Sequence, residues 1–195
     1  MSRTIAIIDG NSGPDAARYD HALTQAYAAA AQKAGHDVRH IRLAEADFPL
    51  LRSKRDREEG TPCPFIQECQ QAIADADHLL IACPLWLGCV PALLKAFFEQ
   101  AFRPGFAIAQ GERSLNPGLL RGKSARIIVT MGMPAAIYRF YFRAHSLKSL
   151  ERNILRFCGI GPIRRRTIIG SIEAIGPGKR QAWLSHVAGL ASSAA

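Results

Sequence analysis

The chain has 195 residues, 48% of them apolar, and 25 Lys and Arg against 16 Asp and Glu give a net charge of +9. That length supports one sizeable core, so 1–195 reads as a single domain. No apolar run approaches the ~20 residues that span a bilayer, and Met1 to Asp9 lacks the succession of a secretory signal, which argues against a membrane span and predicts a cytoplasmic location.

Residues 4–9 (Thr-Ile-Ala-Ile-Ile-Asp) form a short apolar run ending in the turn formers Asp9-Gly-Asn-Ser-Gly-Pro14, as a buried strand leaves a parallel sheet. From Asp15 to Ala34, Tyr19, Leu23, Ala26, Tyr27 and Ala30 recur at helical spacing, and Gly35 stands at a C-cap position. The alternation continues with a strand over 37–43, a helix from Pro64 to Ala76, and a strand from His78 to Cys83 stopped by Pro84. Pro91 opens a helix to Phe102 whose wide apolar face suggests a partner surface. Residues 103–122, rich in Gly and Pro, read as an excursion with little regular structure. A strand from Ala125 to Met131 follows, then a long helix from Ile137 to Phe157 with Phe140, Ala144, Leu147, Leu150 and Ile154 on one stripe. A strand from Pro162 to Ile169 and a helix from Lys179 to Leu190 complete the pattern.

Strands alternating with helices predict an α/β three-layer sandwich around a five-stranded parallel sheet. In the flavodoxin-like order 2-1-3-4-5, ligands bind beyond the carboxyl ends of strands 1 and 3, where the winding reverses. The loops at 9–19, 84–91 and 130–138 are therefore the candidate site.

Each loop has chemistry to offer. The first combines small residues, the Ser12 hydroxyl, the Arg18 charge and a helix N-terminus, which suit phosphate as well as they suit a plain strand-to-helix turn. In the second, Pro84-Leu-Trp-Leu-Gly-Cys-Val-Pro91 forms a rigid apolar ledge on which a flat ring can rest, with backbone N–H groups beside it. The third, Thr130-Met-Gly-Met-Pro134 followed by Tyr138, adds N–H groups and a phenol.

In four blocks, Leu43 to Leu51 with Asp47-Phe-Pro-Leu-Leu51, Ala76 to Ala107, Gly122 to Pro134 and Tyr138 to Gly159, the chain resembles the flavodoxin-like NAD(P)H:quinone oxidoreductases, including the modulator-of-drug-activity-B type. The block PLWLGCVPALLKAFFEQAFRPGFA carries the resemblance most specifically. It implies a flavin, FMN or FAD, with its phosphate in the first loop at Ser12, Arg18 and Tyr19. Its ring would lie against Pro84, Leu85, Trp86, Leu87 and Gly88 and touch Thr130, Met131, Gly132 and Met133. It also implies NADH or NADPH as donor, a quinone-like acceptor and a homodimer, with Phe106 and the Tyr141–His145 region lining the space where donor and acceptor alternate. Tyr138 and His145 are the candidates for stabilising negative charge on the reduced flavin or quinone. The first loop departs from the family in Gly10-Asn-Ser-Gly-Pro14 and Arg18-Tyr19, and Leu87 stands where many members have a second tryptophan.

Other classes fit less well. Arg139, Arg143, Lys148, Arg152, Arg156 and Arg164-Arg-Arg166 raise a nucleic-acid binder, but they are spread around their elements and no binding motif accompanies them. A flavin-binding accessory subunit of a larger assembly is the other alternative. Cys63, Cys69, Cys83, Cys89 and Cys158, without CxxC spacing, read as free thiols and not as metal ligands, and GxSxG is absent.

Overall fold

The computed structural model describes residues 2–15, 17–110 and 118–191. The strands are β1 (Thr4–Asp9), β2 (Asp37–Arg42), β3 (His78–Pro84), β4 (Ser124–Thr130) and β5 (Ile163–Ile169). All neighbours pair in parallel in the order β2-β1-β3-β4-β5, as the sequence predicts. The helices are α1 (Tyr19–Lys33), α2 (Lys54–Glu58), α3 (Pro64–Asp75), α4 (Ala92–Ala101), α5 (Ala135–Phe140), α6 (His145–Ser149) and α7 (Pro177–Ala191).

Successive strand residues point to opposite faces, so the apolar runs of the central strands feed two cores. Ile5, Ile7, Leu80, Ala82 and Ile128 pack beneath α1 and α7 with Leu23, Tyr27, Ala31 and Val187. Ala6, Ile8, Leu79, Ile81, Ile127 and Val129 pack on the other face with Ile66, Ile73, Leu94, Phe97 and Leu150. Every residue of β3 and β4 is buried, whereas the edge strand β2 alternates outward.

Three expectations need correction. The first helix starts at Tyr19 and not at Asp15. The short helix α2, capped by Ser53 Oγ accepting from Asp56 N at 3.0 Å, has no apolar stripe and was not predicted. The long helix over 137–157 is broken: α5 ends at Phe140, Arg143 and Ala144 take left-handed φ of 52° and 49°, and the chain restarts as α6 and a π-helical segment, Leu150–Arg156. Left-handed backbone is costly outside glycine, and here the break lets Tyr138 fold under the restart. Its hydroxyl accepts from Leu147 N at 3.2 Å and pairs with Ser146 Oγ at 2.7 Å, serving a helix whose N-cap residue, Ala144, has no capping side chain. Of the 103–122 excursion, 111–117 lie outside the described residues, and the remainder holds only isolated bridges, as expected.

Candidate functional site

The winding reversal between β1 and β3 leaves a crevice of about 340 Å³ at the carboxyl ends of the strands. Asn11, Arg18, Tyr19 and Asp20 line it from the first loop and the start of α1, Pro84 to Trp86 from the end of β3, and Thr130 to Gly132 from the end of β4. Ile172, Glu173 and Arg180 close it from the β5–α7 side. A larger groove, about 610 Å³, runs between β2 and α3, but it flanks the sheet edge and not the strand ends.

Gly10 makes the close approach possible. Its N–H donates to Ala82 O at 2.7 Å, and a Cβ there would come within 2.6 Å of Leu94 Cδ2. Beyond it, Asn11 Oδ1 accepts from Gly13 N at 2.9 Å, and Asn11 Nδ2 donates to Asp20 Oδ2 at 3.0 Å. Thr130 Oγ1 donates to Asp20 Oδ1 at 2.7 Å, so one buried carboxylate ties the first loop to the end of β4. Burial pushes the Asp20 carboxyl above its ordinary range, and the hydrogen bonds from Thr130 and Asn11 pull against that.

The ledge after β3 is a tight reversal. Leu85 N donates to Thr130 O at 2.7 Å, and Trp86 and Cys89 exchange N–H···O bonds of 2.9 Å each way. Leu87 and Gly88, with φ of 46° and 76°, occupy the two central positions in the manner of a type I′ turn. Trp86 stays 49% exposed, so it does not plug the core. Among the described residues the amides of Leu87, Gly88 and Gly132 have no hydrogen-bond partner.

Across the crevice, Arg180 donates to Ile175 O at 3.2 Å and to Ile172 O at 2.8 Å, and its guanidinium lies 5.2 Å from the Tyr19 ring centroid. Tyr19 Oη donates back to Arg180 O at 2.6 Å. Arg18 is exposed and lies 3.9 Å from Asp15. It is also the N-cap of α1 and supplies no side-chain cap, so the start of a fifteen-residue helix, which lines the crevice, keeps first-turn amides without intrahelical partners.

These residues fit a phosphorylated ring: an apolar platform with open amides at one end, and helix amides with Arg18 and Arg180 at the other. Of the predicted contacts, Arg18, Tyr19, Pro84, Leu85, Trp86, Thr130, Met131 and Gly132 line the crevice. Leu87 and Gly88 form the exposed tip beside it, while Ser12 and Met133, both half-buried, are not part of the lining. Tyr138 is 2% exposed, with its hydroxyl committed to Ser146 and Leu147. Phe106 packs against the core, Tyr141 is 79% exposed and His145 is exposed, none of them in the crevice. Sequence reasoning missed Asn11, Asp20, Ile172, Glu173 and Arg180. Asn11 lay within reach, as a polar residue in a loop already singled out, and Asp20 stands one position beyond it in α1. The other three come from chain segments that carry no motif.

Comparison with known proteins bears on the family and the fold. The chain is 27% identical over 161 residues to a Haemophilus influenzae protein named as an uncharacterized NAD(P)H oxidoreductase, covering 80% of this chain and 79% of the other. It is 26% identical over 148 residues to an FMN-dependent NADH:quinone oxidoreductase of Ruegeria pomeroyi, covering 68% and 72%. The solved structure of an NAD(P)H:quinone oxidoreductase from Methanothermobacter marburgensis superposes with a TM-score of 0.79 at 20% identity, over 99% of this chain and 97% of the other, a likeness of fold. No helix of the described residues is long and apolar enough to cross a membrane, and no group of three or more His, Cys, Asp or Glu among them could hold a metal ion. A match to the family described as flavodoxin-like fold runs over residues 3–187, and since the sheet order agrees with it over nearly the whole sequence, the chain belongs to that family.

Proposed function

We propose that this protein is a flavin-dependent NAD(P)H oxidoreductase that reduces a quinone-like acceptor, with the flavin in the crevice between the ends of β1, β3 and β4. The observation that carries the reading is the pairing, in one crevice, of a half-exposed Trp86 ledge beside open amides with an uncapped helix start flanked by Arg18 and Arg180. The Ruegeria relative's name favours FMN over FAD.

A bound flavin supplies reversible hydride transfer between nicotinamide and acceptor. Pro84, Leu85 and Trp86, which line the crevice, would be the residues that support the flat ring. The unpartnered amides of Gly132 and, at the tip beside the crevice, of Leu87 and Gly88 would be the donors for the polar ring edge and would offset negative charge there. The first-turn amides of α1, with Arg18, hold the phosphate, and Arg180 braces Tyr19 beside it. Tyr138 contributes by fixing the α5–α6 break, which presents Phe140, Tyr141, Phe142 and His145 outward. In a homodimer these residues, with Phe106, would border the acceptor space of a second copy. The basic side chains that suggest a nucleic-acid binder are partly spent, since Arg156 and Arg166 both pair with the buried Glu151.

The test is reconstitution. Apoprotein mixed with FMN or FAD should acquire flavin absorbance, bleach with NADH or NADPH under nitrogen, and recolour on adding a quinone. Trp86→Ala should weaken flavin affinity by roughly 1–3 kcal/mol, the worth of one aromatic stacking contact. Failure of both flavins to associate with folded protein overturns the reading.

A further inference from the structure

Behind the phosphate side of the crevice lies a polar cluster that the proposed function does not use. Asp9, wholly buried at the end of β1, accepts from Thr24 Oγ1 at 2.8 Å through Oδ2. The same oxygen is 2.6 Å from His21 Nδ1 and 4.0 Å from His40 Nε2. The other ring nitrogen of His21, Nε2, lies 3.1 Å from Gly13 O.

Both neighbours of the His21 ring are oxygen acceptors, and a carbonyl has no proton to offer. With Asp9 ionised, only the imidazolium, with N–H at both positions, satisfies both contacts; a neutral ring sets one nitrogen lone pair against an oxygen. Gly13 also donates to Asn11, Asn11 to Asp20, and Thr130 to Asp20. The His21 proton is thus the second link of a hydrogen-bonded chain running from the β1 strand end, through the loop, into the crevice lining.

We propose that His21 is a positioning residue: as an imidazolium bridging Asp9 and Gly13 it holds the β1–α1 loop in its phosphate-binding shape, so that FMN binding weakens when this proton is lost to solvent. The proposal rests on the flavin reading above. The charged groups around the ring are Asp9 from β1, Asp20 from α1 itself, His40 and Arg42 from β2, and Glu45 from the turn after β2. Burial alone would lower the His21 pKa, but the hydrogen bonds to Asp9 and Gly13 and the charges of Asp9 and Asp20 outweigh it and raise it above the ordinary 6.5. His40, which approaches the same Asp9 oxygen, is shifted the other way, by burial first and then by Arg42 and His21 against the pull of Asp9, so it stays neutral where His21 is charged.

The experiment titrates full-length protein with FMN, by quenching of flavin fluorescence, across neutral to alkaline pH at constant ionic strength, with riboflavin as the probe that lacks phosphate. FMN affinity should fall about tenfold through the His21 titration, the scale of one charge-assisted hydrogen bond, while riboflavin binding stays flat. Ionisation of the FMN phosphate near pH ~6 acts in the opposite direction, since a dianion binds a basic site more tightly, so it cannot imitate this result. His21→Gln should bind FMN weakly and without the pH step, and His40→Gln should keep the step. An FMN profile that is flat or rising, or a step that survives in His21→Gln, overturns the proposal. A parallel NMR titration of the His21 ring separates this proposal from the flavin reading. If no flavin binds at any pH, that reading fails, but a midpoint above 6.5, with the Gly13 amide losing protection as the ring titrates, beyond the rise that base catalysis gives every amide, would still support His21 as the clamp of the loop. A midpoint at or below 6.5 would overturn it.

Discussion

Gly10→Ala tests whether the crevice depends on the closeness of two strand ends. The added methyl would lie 2.6 Å from Leu94 Cδ2, 3.0 Å from Cys83 Cβ and 3.1 Å from Ala82 O. Carbon atoms rest at about 3.5–4.0 Å, so nearly 1 Å of overlap must be relieved. Leu94 is fully buried against the core and cannot simply swing away, and Ala82 O already accepts the Gly10 N–H. Relief therefore separates the ends of β1 and β3. Overpacking of this kind costs about 1–3 kcal/mol, which for a chain of this size lowers the thermal midpoint by about 2–12 °C. Asn11 moves with its neighbour, so its bonds to Gly13 and Asp20 loosen, and FMN should bind roughly fivefold more weakly, the equivalent of one ordinary hydrogen bond. Circular dichroism melts and flavin fluorescence titrations read the two effects. Gly189→Ala within α7, where a Cβ meets nothing within 4 Å, serves as control and should stabilise by roughly 0.5–1 kcal/mol. An unchanged midpoint together with unchanged FMN affinity in Gly10→Ala would refute the close-approach argument.

Three further outcomes are expected. Leu87→Asn suits the left-handed φ of 46° better than leucine and should raise stability by about 0.5–1 kcal/mol in urea melts at unchanged m-value; a loss would count against strain at this position. An aromatic disulfide reagent at mildly alkaline pH should modify exposed Cys89 quickly and half-buried Cys63 slowly, leaving Cys69, Cys83 and Cys158 silent until the chain unfolds. Burial pushes Cys69 up to about 12 and Cys158 to about 11, and Cys83 higher still, so rapid labelling of any of these would contradict the packing. Burial, then the charges of Arg126 and Arg164, lowers His78 from 6.5 to about 3, so the unfolded chain binds the extra proton within that window and stability drops as pH falls through it. His78→Gln should flatten this acid limb by up to about one proton, and an unaltered slope would show that His78 does not cause it.

The strands were legible because β3 and β4 are buried on both faces and read as unbroken apolar runs between turn formers. The break at 141–144 was not. The stripe from Phe140 to Ile154 keeps helical spacing across it, and neither left-handed residue, Arg143 nor Ala144, is a glycine that would mark a reversal. At the site, the ledge and the 130–132 segment followed from topology, since parallel strands deliver their ends to one place. Arg180 and Glu173 could not be anticipated. They reach the crevice because α7 packs beside α1, a pairing that leaves no local trace in either segment. Tyr138 shows the converse case: a phenol near a catalytic-looking loop whose oxygen is used up inside its own hairpin of helices.

Among the described residues, the outer strands of the sheet, β2 and β5, leave one backbone row each without a neighbour. Such rows invite other chains to add on and grow ribbons. Here the two rows carry charged side chains, Asp37, Arg39 and Arg42 along β2 and Arg164 and Arg166 along β5, of the kind that discourages such additions. A net charge of +9 adds long-range repulsion between copies, which works against such growth whatever ligand the protein holds.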